Sequence, residues 1–333
     1  MPSFNPSLKP LVAVLTLASA SLMTTGCVDL DDDDDSSDTA RTFTAETENY
    51  QFEYLSHGEI VGGVNTYSLQ VTAKDGSDLQ GQTVSSVPVM DMVSGMEHST
   101  PAASTGGELD AEGKFSSTAY FLMPSVNPQT NKKQGDWNLD VEFDGETTSI
   151  PLDISWKEGA RGNLFGGSDD QIKGMDGSDI NRNYYIYFEG KHHMGDMHMF
   201  SVYIAARETM MDYKPVLEGT NLSKGSAMDM SGMSMNNMMS MNDDSMLMVD
   251  SVNVEICLEG CDTNTNFHTA EASGTKDGVY TISVMEHPAT LDMIQVTLNI
   301  NGSDKTNANG TSNIATVMLA GESDMSDSDH SHN

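Results

Sequence analysis

The chain has 333 residues, of which 50 are acidic and 16 basic, so its formal net charge is −34. Such an acidic chain without a basic patch excludes nucleic acid as an expected partner. About 300 residues follow the N-terminal region, a length that suits two domains.

The first 26 residues have the pattern of a lipoprotein signal peptide. Lys9 precedes an apolar run over residues 11–22, which is too short for a permanent membrane span. Small residues at 24–26 then lead to Cys27, and this segment resembles a lipobox, with threonine where leucine is usual at position 24. We therefore expect cleavage before Cys27, lipidation of its thiol and attachment to a membrane through this lipid anchor. Ordinary signal-peptidase cleavage, leaving a free Cys27, is the alternative.

Residues 27–42 form the predicted tether. Val28 follows the cysteine in place of aspartate, which the lipoprotein resemblance associates with the outer membrane, facing the periplasm or the cell surface. The aspartate run between Asp29 and Asp38 repels itself and indicates an extended, solvated linker. A polar tail is predicted to be disordered over residues 322–333.

An internal duplication organises the rest of the chain. Residues 84–98 align with residues 249–263, which pairs Gly95 with Gly260, and in each half a second glycine follows 18 residues later. Each repeat closes with alternating apolar residues before a turn dipeptide, Asp144-Gly145 or Asn301-Gly302. The sequence therefore predicts two copies of one domain.

Both copies show the period-two alternation of β-strands, and helical periodicity is essentially absent. Several short strands in each unit favour an all-β fold of two immunoglobulin-like β-sandwich domains. The predicted domains cover residues 43–157 and 180–321, joined by a Gly-rich linker over residues 158–179.

The first repeat resembles the YtkA-like and FixH-like family of periplasmic immunoglobulin-like domains. The resemblance covers residues 63–143 and is carried by the stretches 63–76, 89–98, 113–123 and 135–137. Members of that family look like carriers or accessory domains in copper handling and oxidase maturation. The resemblance implies that Met92, Met96 and His98 occupy positions where the family often has a Met/His cluster.

Methionine is the strongest anomaly of composition, with 25 in the chain. Nine lie in a predicted insertion over residues 226–248 whose other residues are mostly Ser, Asn, Asp and Gly. They are Met228, Met230, Met233, Met235, Met238, Met239, Met241, Met246 and Met248. Thioether sulfur is soft, suits Cu(I) and has no proton to lose, so such a loop could bind Cu(I). The segment also resembles methionine-rich loops of periplasmic copper-resistance proteins. A sacrificial antioxidant and an adaptable contact surface are the alternatives.

A second cluster comprises Met90, Met92, Met96 and His98. In a strand Met90 and Met92 share a face, and a turn at Gly95 could fold Met96 and His98 back toward them. The alternative is that some of these methionines pack in the core.

A third cluster holds three histidines and three methionines within eight residues: His192, His193, Met194, Met197, His198 and Met199. This donor set suits either oxidation state of copper. A metal-free loop is the alternative.

The duplication aligns Cys257 and Cys261 with Met92 and Met96. In an oxidising compartment this pair is most simply a small-loop disulfide. A second copper site including His268 is the alternative.

The sequence contains no recognisable nucleophile elbow, His-Glu-x-x-His motif or phosphate-binding glycine loop, so we expect no enzymatic activity. We expect an envelope lipoprotein that binds copper as a carrier, buffer or resistance factor and meets a copper-handling or oxidase-assembly protein. The rival expectation is an envelope interaction module whose methionines are oxidant sinks.

Overall fold

The computed structural model describes residues 41–56, 58–174, 176–194, 197–224, 246–261, 266–285 and 291–319. Within these ranges the regular structure consists of β-strands, and no helix is long and apolar enough to cross a membrane. The predicted signal peptide, Cys27, nearly all of the tether and the C-terminal tail lie outside the described residues. So do Met228 to Met241 of the methionine-rich insertion.

The first sandwich contains two facing antiparallel sheets. Its strands are β1 (Arg41–Glu46), β2 (Tyr50–Ser56), β3 (Gly63–Ala73), β4 (Thr83–Met92), β5 (Glu97–Ser99), β6 (Gly106–Glu108), β7 (Lys114–Phe121), β8 (Val126–Asn127), β9 (Lys132–Lys133), β10 (Gly135–Phe143) and β11 (Glu146–Leu152). One sheet has the order β1-β2-β3-β7 and the other β11-β10-β4-β5, with β6 also paired to β4. Apolar side chains from both sheets, such as Phe52 and Leu139, form a single core.

The second sandwich repeats this plan. Its strands are β12 (Gly162–Phe165), β13 (Gln171–Lys173), β14 (Asp179–Asn181), β15 (Asn183–Met194), β16 (Met197–Arg207), β17 (Tyr213–Pro215), β18 (Asn221–Ser223), β19 (Met246–Met248), β20 (Val252–Cys257), β21 (His268–Thr269), β22 (Glu271–Ala272), β23 (Val279–Val284), β24 (Met293–Ile300), β25 (Ser303–Asp304) and β26 (Ile314–Met318). The order β12-β15-β16-β23 corresponds to β1-β2-β3-β7, and β20 pairs with β24 as β4 pairs with β10. The expected fold of two immunoglobulin-like sandwiches is confirmed.

Matching glycines show that the two copies are related in detail. Gly113 and Gly278 have φ values of +74° and +75°, and their carbonyls accept hydrogen bonds from Val71 N and Ile204 N, on the equivalent strands β3 and β16. The Asp144-Gly145 and Asn301-Gly302 turns likewise have positive φ at both residues, the geometry that closes two-residue hairpins.

The segment predicted to be a Gly-rich linker contributes a strand to the second sandwich. Strand β12 pairs with β15, and Leu164 is completely buried in the second core. Gly162 lets this strand approach its neighbour, because a Cβ there would lie 2.9 Å from Ala315 Cβ. The second sandwich therefore begins near residue 162 instead of 180. The strand equivalent to β1 was not recognised in the sequence because it lies in a Gly-rich segment.

A third apolar cluster joins the sandwiches. Tyr120 and Leu122 from the end of β7 pack against the outer face of β15 and β16, where they contact Tyr187 and Tyr203 among others. The rings of Tyr120 and Tyr203 are stacked with centroids 3.9 Å apart. The two domains are thus docked directly on one another.

Replacing Gly113 by alanine should destabilise the protein more than the same change at Gly76. Both residues have positive φ, but a Cβ at Gly113 would lie 2.7 Å from Val71 O, whereas at Gly76 it would meet open space. We expect Gly76→Ala to lower the free energy of unfolding by about 1 kcal/mol and Gly113→Ala by about 3 kcal/mol. Urea unfolding measures both, and equal losses would contradict the close approach.

Candidate metal centre

The hairpin of β4 and β5 brings two predicted ligands together. Gly95 adopts φ +81° in the turn, and Met92 N donates to Met96 O at 2.9 Å, so these methionines face each other across the hairpin end. Both side chains are half-buried, and Met92 packs against the first core. The two methionines are therefore cross-strand neighbours at one end of the first sandwich.

Met90 belongs to the core instead. It pairs with Trp137 on one side and His98 on the other, and its side chain has no solvent exposure. Met92 shares its face of β4, but Met90 lies deeper, inside the first core, where its thioether fills apolar space. The prediction that Met90 is a ligand receives no support from this position, and we leave it out of the candidate site.

His98 is held in a form that suits a metal ligand. Its side chain is buried, and Nδ1 donates to Ser99 O at 2.5 Å. Burial lowers the pKa of His98 more than the hydrogen bond to Ser99 raises it, and the charges of Arg207 and Arg161 lower it further. The ring is therefore neutral at pH 7, and because Nδ1 carries the proton, the lone pair resides on Nε2.

The second sandwich closes over His98. Ser99 N donates to Met210 O at 3.0 Å, and the ring of Tyr213 lies 6.3 Å from that of His98. Both partners belong to the turn at residues 208–213 between β16 and β17, which also carries the exposed Met211. The hairpin of the first sandwich thus ends at the junction with the second.

The same turn fixes one end of the methionine-rich insertion. Arg182 is completely buried and donates to the carbonyls of Arg207 and Ser223 as well as to Glu208. Glu208 in turn accepts from Ser223 N at 2.6 Å. Ser223 is the last residue of β18, whose pairing with β19 brings the start and end of the insertion together.

Further charges complete this buried cluster. Asp170 accepts from Arg182 Nε and Lys305 Nζ, each at 2.9 Å, and from the Tyr184 hydroxyl at 2.6 Å. Burial alone would raise the pKa of Asp170, but Lys305, Tyr184 and Arg182 outweigh it and hold the pKa below its usual range. Asp170 is therefore ionised, and both of its carboxylate oxygens accept hydrogen bonds, as a buried charge requires.

The third predicted cluster lies on the hairpin of β15 and β16. The register pairs His192 with Met199, His193 with His198 and Met194 with Met197. His192 is exposed and Met199 half-buried, and alternation places them on the face opposite to His198. Strand β16 separates this hairpin from the turn at 208–213 by about 30 Å, so the second and third clusters cannot share one ion.

Sequence reasoning did not single out several exposed methionines. Met285 is 78% exposed after β23, and Met293 and Met318 form an exposed cross-strand pair on β24 and β26. Two features of the sequence could have identified them: their outward positions in the alternating pattern and their places at strand ends.

The cysteines form the expected disulfide, Cys257–Cys261, so that prediction is confirmed. Their sulfurs are then unavailable as thiolate ligands, and His268 lies exposed on β21. The alternative of a second copper site at these cysteines requires a reduced form.

The alignment of Cys257 with Met92 is corrected by the strand register. Equivalent turns make Phe143 the counterpart of Ile300, yet Phe143 pairs with Val84 and Ile300 with Val252. Val84 therefore corresponds to Val252 and not to Val249, a shift of three residues. An odd shift exchanges the two faces of a strand, so the soft sulfurs of the two halves do not coincide.

Within the described ranges, no three His, Cys, Asp or Glu side chains are placed so that they could hold one metal ion. Met92, Met96 and His98 are predicted donors that the fold brings to one hairpin at the junction of the two sandwiches.

The chain matches no protein-family model and no curated protein. Among solved structures it is similar to the D0-D1 domain of intimin, with 11% identity over 79% of this chain and 94% of that one and a TM-score of 0.21. It is also similar to domains 4-9 of the surface layer protein SbsC, with 8% identity, coverages of 81% and 34%, and a TM-score of 0.20. These low scores carry no argument about function.

The buried state of His98 predicts a pH dependence of stability. Because the folded pKa is lowered, the unfolded chain binds the proton more readily, so the free energy of unfolding should fall as pH drops below about 6.5. Urea unfolding between about pH 7.5 and 5.5 should show this slope, and His98→Gln should reduce it. The exposed control His192→Gln should leave the slope unchanged; an identical slope in His98→Gln would contradict the assignment.

Proposed function

We propose that the protein is an envelope lipoprotein that binds Cu(I) through Met92, Met96 and His98 and through the methionine-rich insertion at 226–248. The observation that supports this best is the turn at 208–213, which contacts the His98 hairpin and also anchors Ser223 at the start of the insertion. Ions captured by the insertion would be released beside the hairpin.

The chemistry of the donors favours a monovalent soft ion. Two thioethers and a neutral imidazole bring no negative charge, and they need not lose a proton at pH 7 to bind. Arg207 and Arg161 lie close enough to His98 to disfavour any cation there, and this penalty is smaller for Cu(I) than for a divalent ion. The net charge of −34 attracts cations to the protein as a whole.

The resemblance of residues 63–143 to YtkA-like and FixH-like domains agrees with this proposal, since members look like copper carriers or accessory domains. It also leaves a copper-handling or oxidase-assembly protein as the proposed recipient. The hairpin at His192 and Met199, on the far end of the second sandwich, would be a separate and more exposed copper site.

Anaerobic titration with Cu(I) against a competing chelator tests the hairpin site. Replacing Met92 and Met96 together by leucine keeps the side-chain volume but removes both sulfurs, and should weaken the tightest site by at least about tenfold. Met90→Leu is the matched control, because it changes a core thioether and should leave the affinity unchanged. An unchanged affinity in the double variant, or an equal loss in the control, would refute the site.

The insertion can be tested separately because β18 and β19 hold its ends together. Replacing residues 226–243 by a short Gly/Ser segment should lower the number of bound Cu(I) ions while the sandwiches stay folded. An unchanged stoichiometry would remove the insertion from the proposal.

The lipid anchor is tested by Cys27→Ser. We expect the native protein to incorporate labelled fatty acid and to fractionate with membranes, and the variant to lose both properties. A variant that still carries the label would show that Cys27 is not the acceptor.

The rival function, an interaction module with methionines as oxidant sinks, is favoured by one observation. Met285, Met293 and Met318 are exposed on the second sandwich, where oxidation would cost the core little. Growth under copper stress compared with hypochlorite stress separates the two: a deletion strain sensitive only to hypochlorite would favour the rival.

A further inference from the structure

A groove of about 200 Å³ lies at the junction of the two sandwiches. The end of β7 contributes Phe121 and Met123, and the connection to β12 contributes Trp156, Lys157 and Arg161. Trp156 is 49% exposed, which is unusual for so large an apolar side chain next to other apolar groups. The groove thus offers both an aromatic surface and two cations.

The charge of these cations stands out against the rest of the chain. Acidic residues outnumber basic ones by 50 to 16, and most described lysines and arginines have a carboxylate partner, as Lys74 has Glu46. Within the described ranges, neither Lys157 nor Arg161 has a carboxylate within 4.0 Å. In so acidic a protein, two cations that line one groove without a carboxylate partner indicate a site for an external anion.

Arg161 is held in position by its other contacts. Nε donates to Leu122 O at 3.2 Å, Nη1 donates to Asn163 Oδ1 at 2.5 Å, and the guanidinium lies 5.0 Å from the centre of the Tyr185 ring. Nη2 has no acceptor among the described residues. A fixed guanidinium with a remaining edge of donors is the group that proteins use to bind oxyanions.

We propose that this groove binds a small organic oxyanion with an apolar body, of the aromatic carboxylate class. The carboxylate would pair with Arg161 and Lys157, and the apolar body would lie against Trp156 and Met123. The volume fits a ligand of roughly ten to fifteen non-hydrogen atoms.

Tryptophan fluorescence of the mature, full-length protein tests the proposal. The chain has two tryptophans, of which Trp137 is completely buried and Trp156 lines the groove. Titration with phenylacetate should produce a saturable change in fluorescence, whereas phenylacetamide, which has the same shape without the charge, should not. Calorimetry on Trp156→Phe then checks binding without the reporter.

Arg161→Gln and, separately, Lys157→Gln should each weaken phenylacetate binding by at least about tenfold. Lys132→Gln, an exposed change on β9 outside the groove, is the matched control and should bind as the native protein does. Absence of saturable binding at millimolar phenylacetate, equal binding of phenylacetamide, or full binding by both groove variants would overturn the proposal. If inorganic phosphate bound as tightly as phenylacetate, the apolar part of the ligand would contribute nothing to the affinity, and the proposed ligand class would be wrong.

Discussion

The stacking of Tyr120 on Tyr203 is the contact on which the arrangement of the molecule depends. Burial, together with the nearby Glu189 carboxylate, raises the pKa of Tyr120, so its hydroxyl stays protonated and donates to Glu189. The hydroxyl of Tyr187 donates to Tyr120 O at 2.9 Å. One side chain therefore makes apolar, aromatic and hydrogen-bonded contacts across the interface, and each is satisfied inside it.

Both candidate sites exist only because the sandwiches are docked in this way. The His98 hairpin belongs to the first sandwich, but the turn at 208–213 of the second contacts it, and Arg207 and Arg161 lower the pKa of His98 after the larger effect of burial. The groove takes Phe121 from the first sandwich and Arg161 from the connection that leads into the second. A flexible connection between independent domains would leave neither site with a defined geometry.

Local signals in the sequence predicted the strands, the turns and the duplication, since alternation and dipeptides such as Asn301-Gly302 act over a few residues. They failed where the position of a residue depends on contacts with residues distant in the chain. Met90 could be a ligand or a core residue until its pairing with Trp137 and His98 was known. The three-residue shift of β20 likewise depends on its ladder with β24, and Arg161 gave no signal because its lack of a carboxylate partner appears only in three dimensions.

The buried ion pairs of Arg182 with Asp170 and Glu208 give salt an uneven influence on this protein. Exposed carboxylates produce most of the charge of −34, and they repel one another. At physiological ionic strength, ions in solution limit this repulsion to a range of about 8 Å. The pairs inside the second sandwich are shielded from those ions and keep their attraction. Added salt therefore weakens the surface repulsion without weakening the buried ion pairs. The free energy of unfolding should rise as the salt concentration increases.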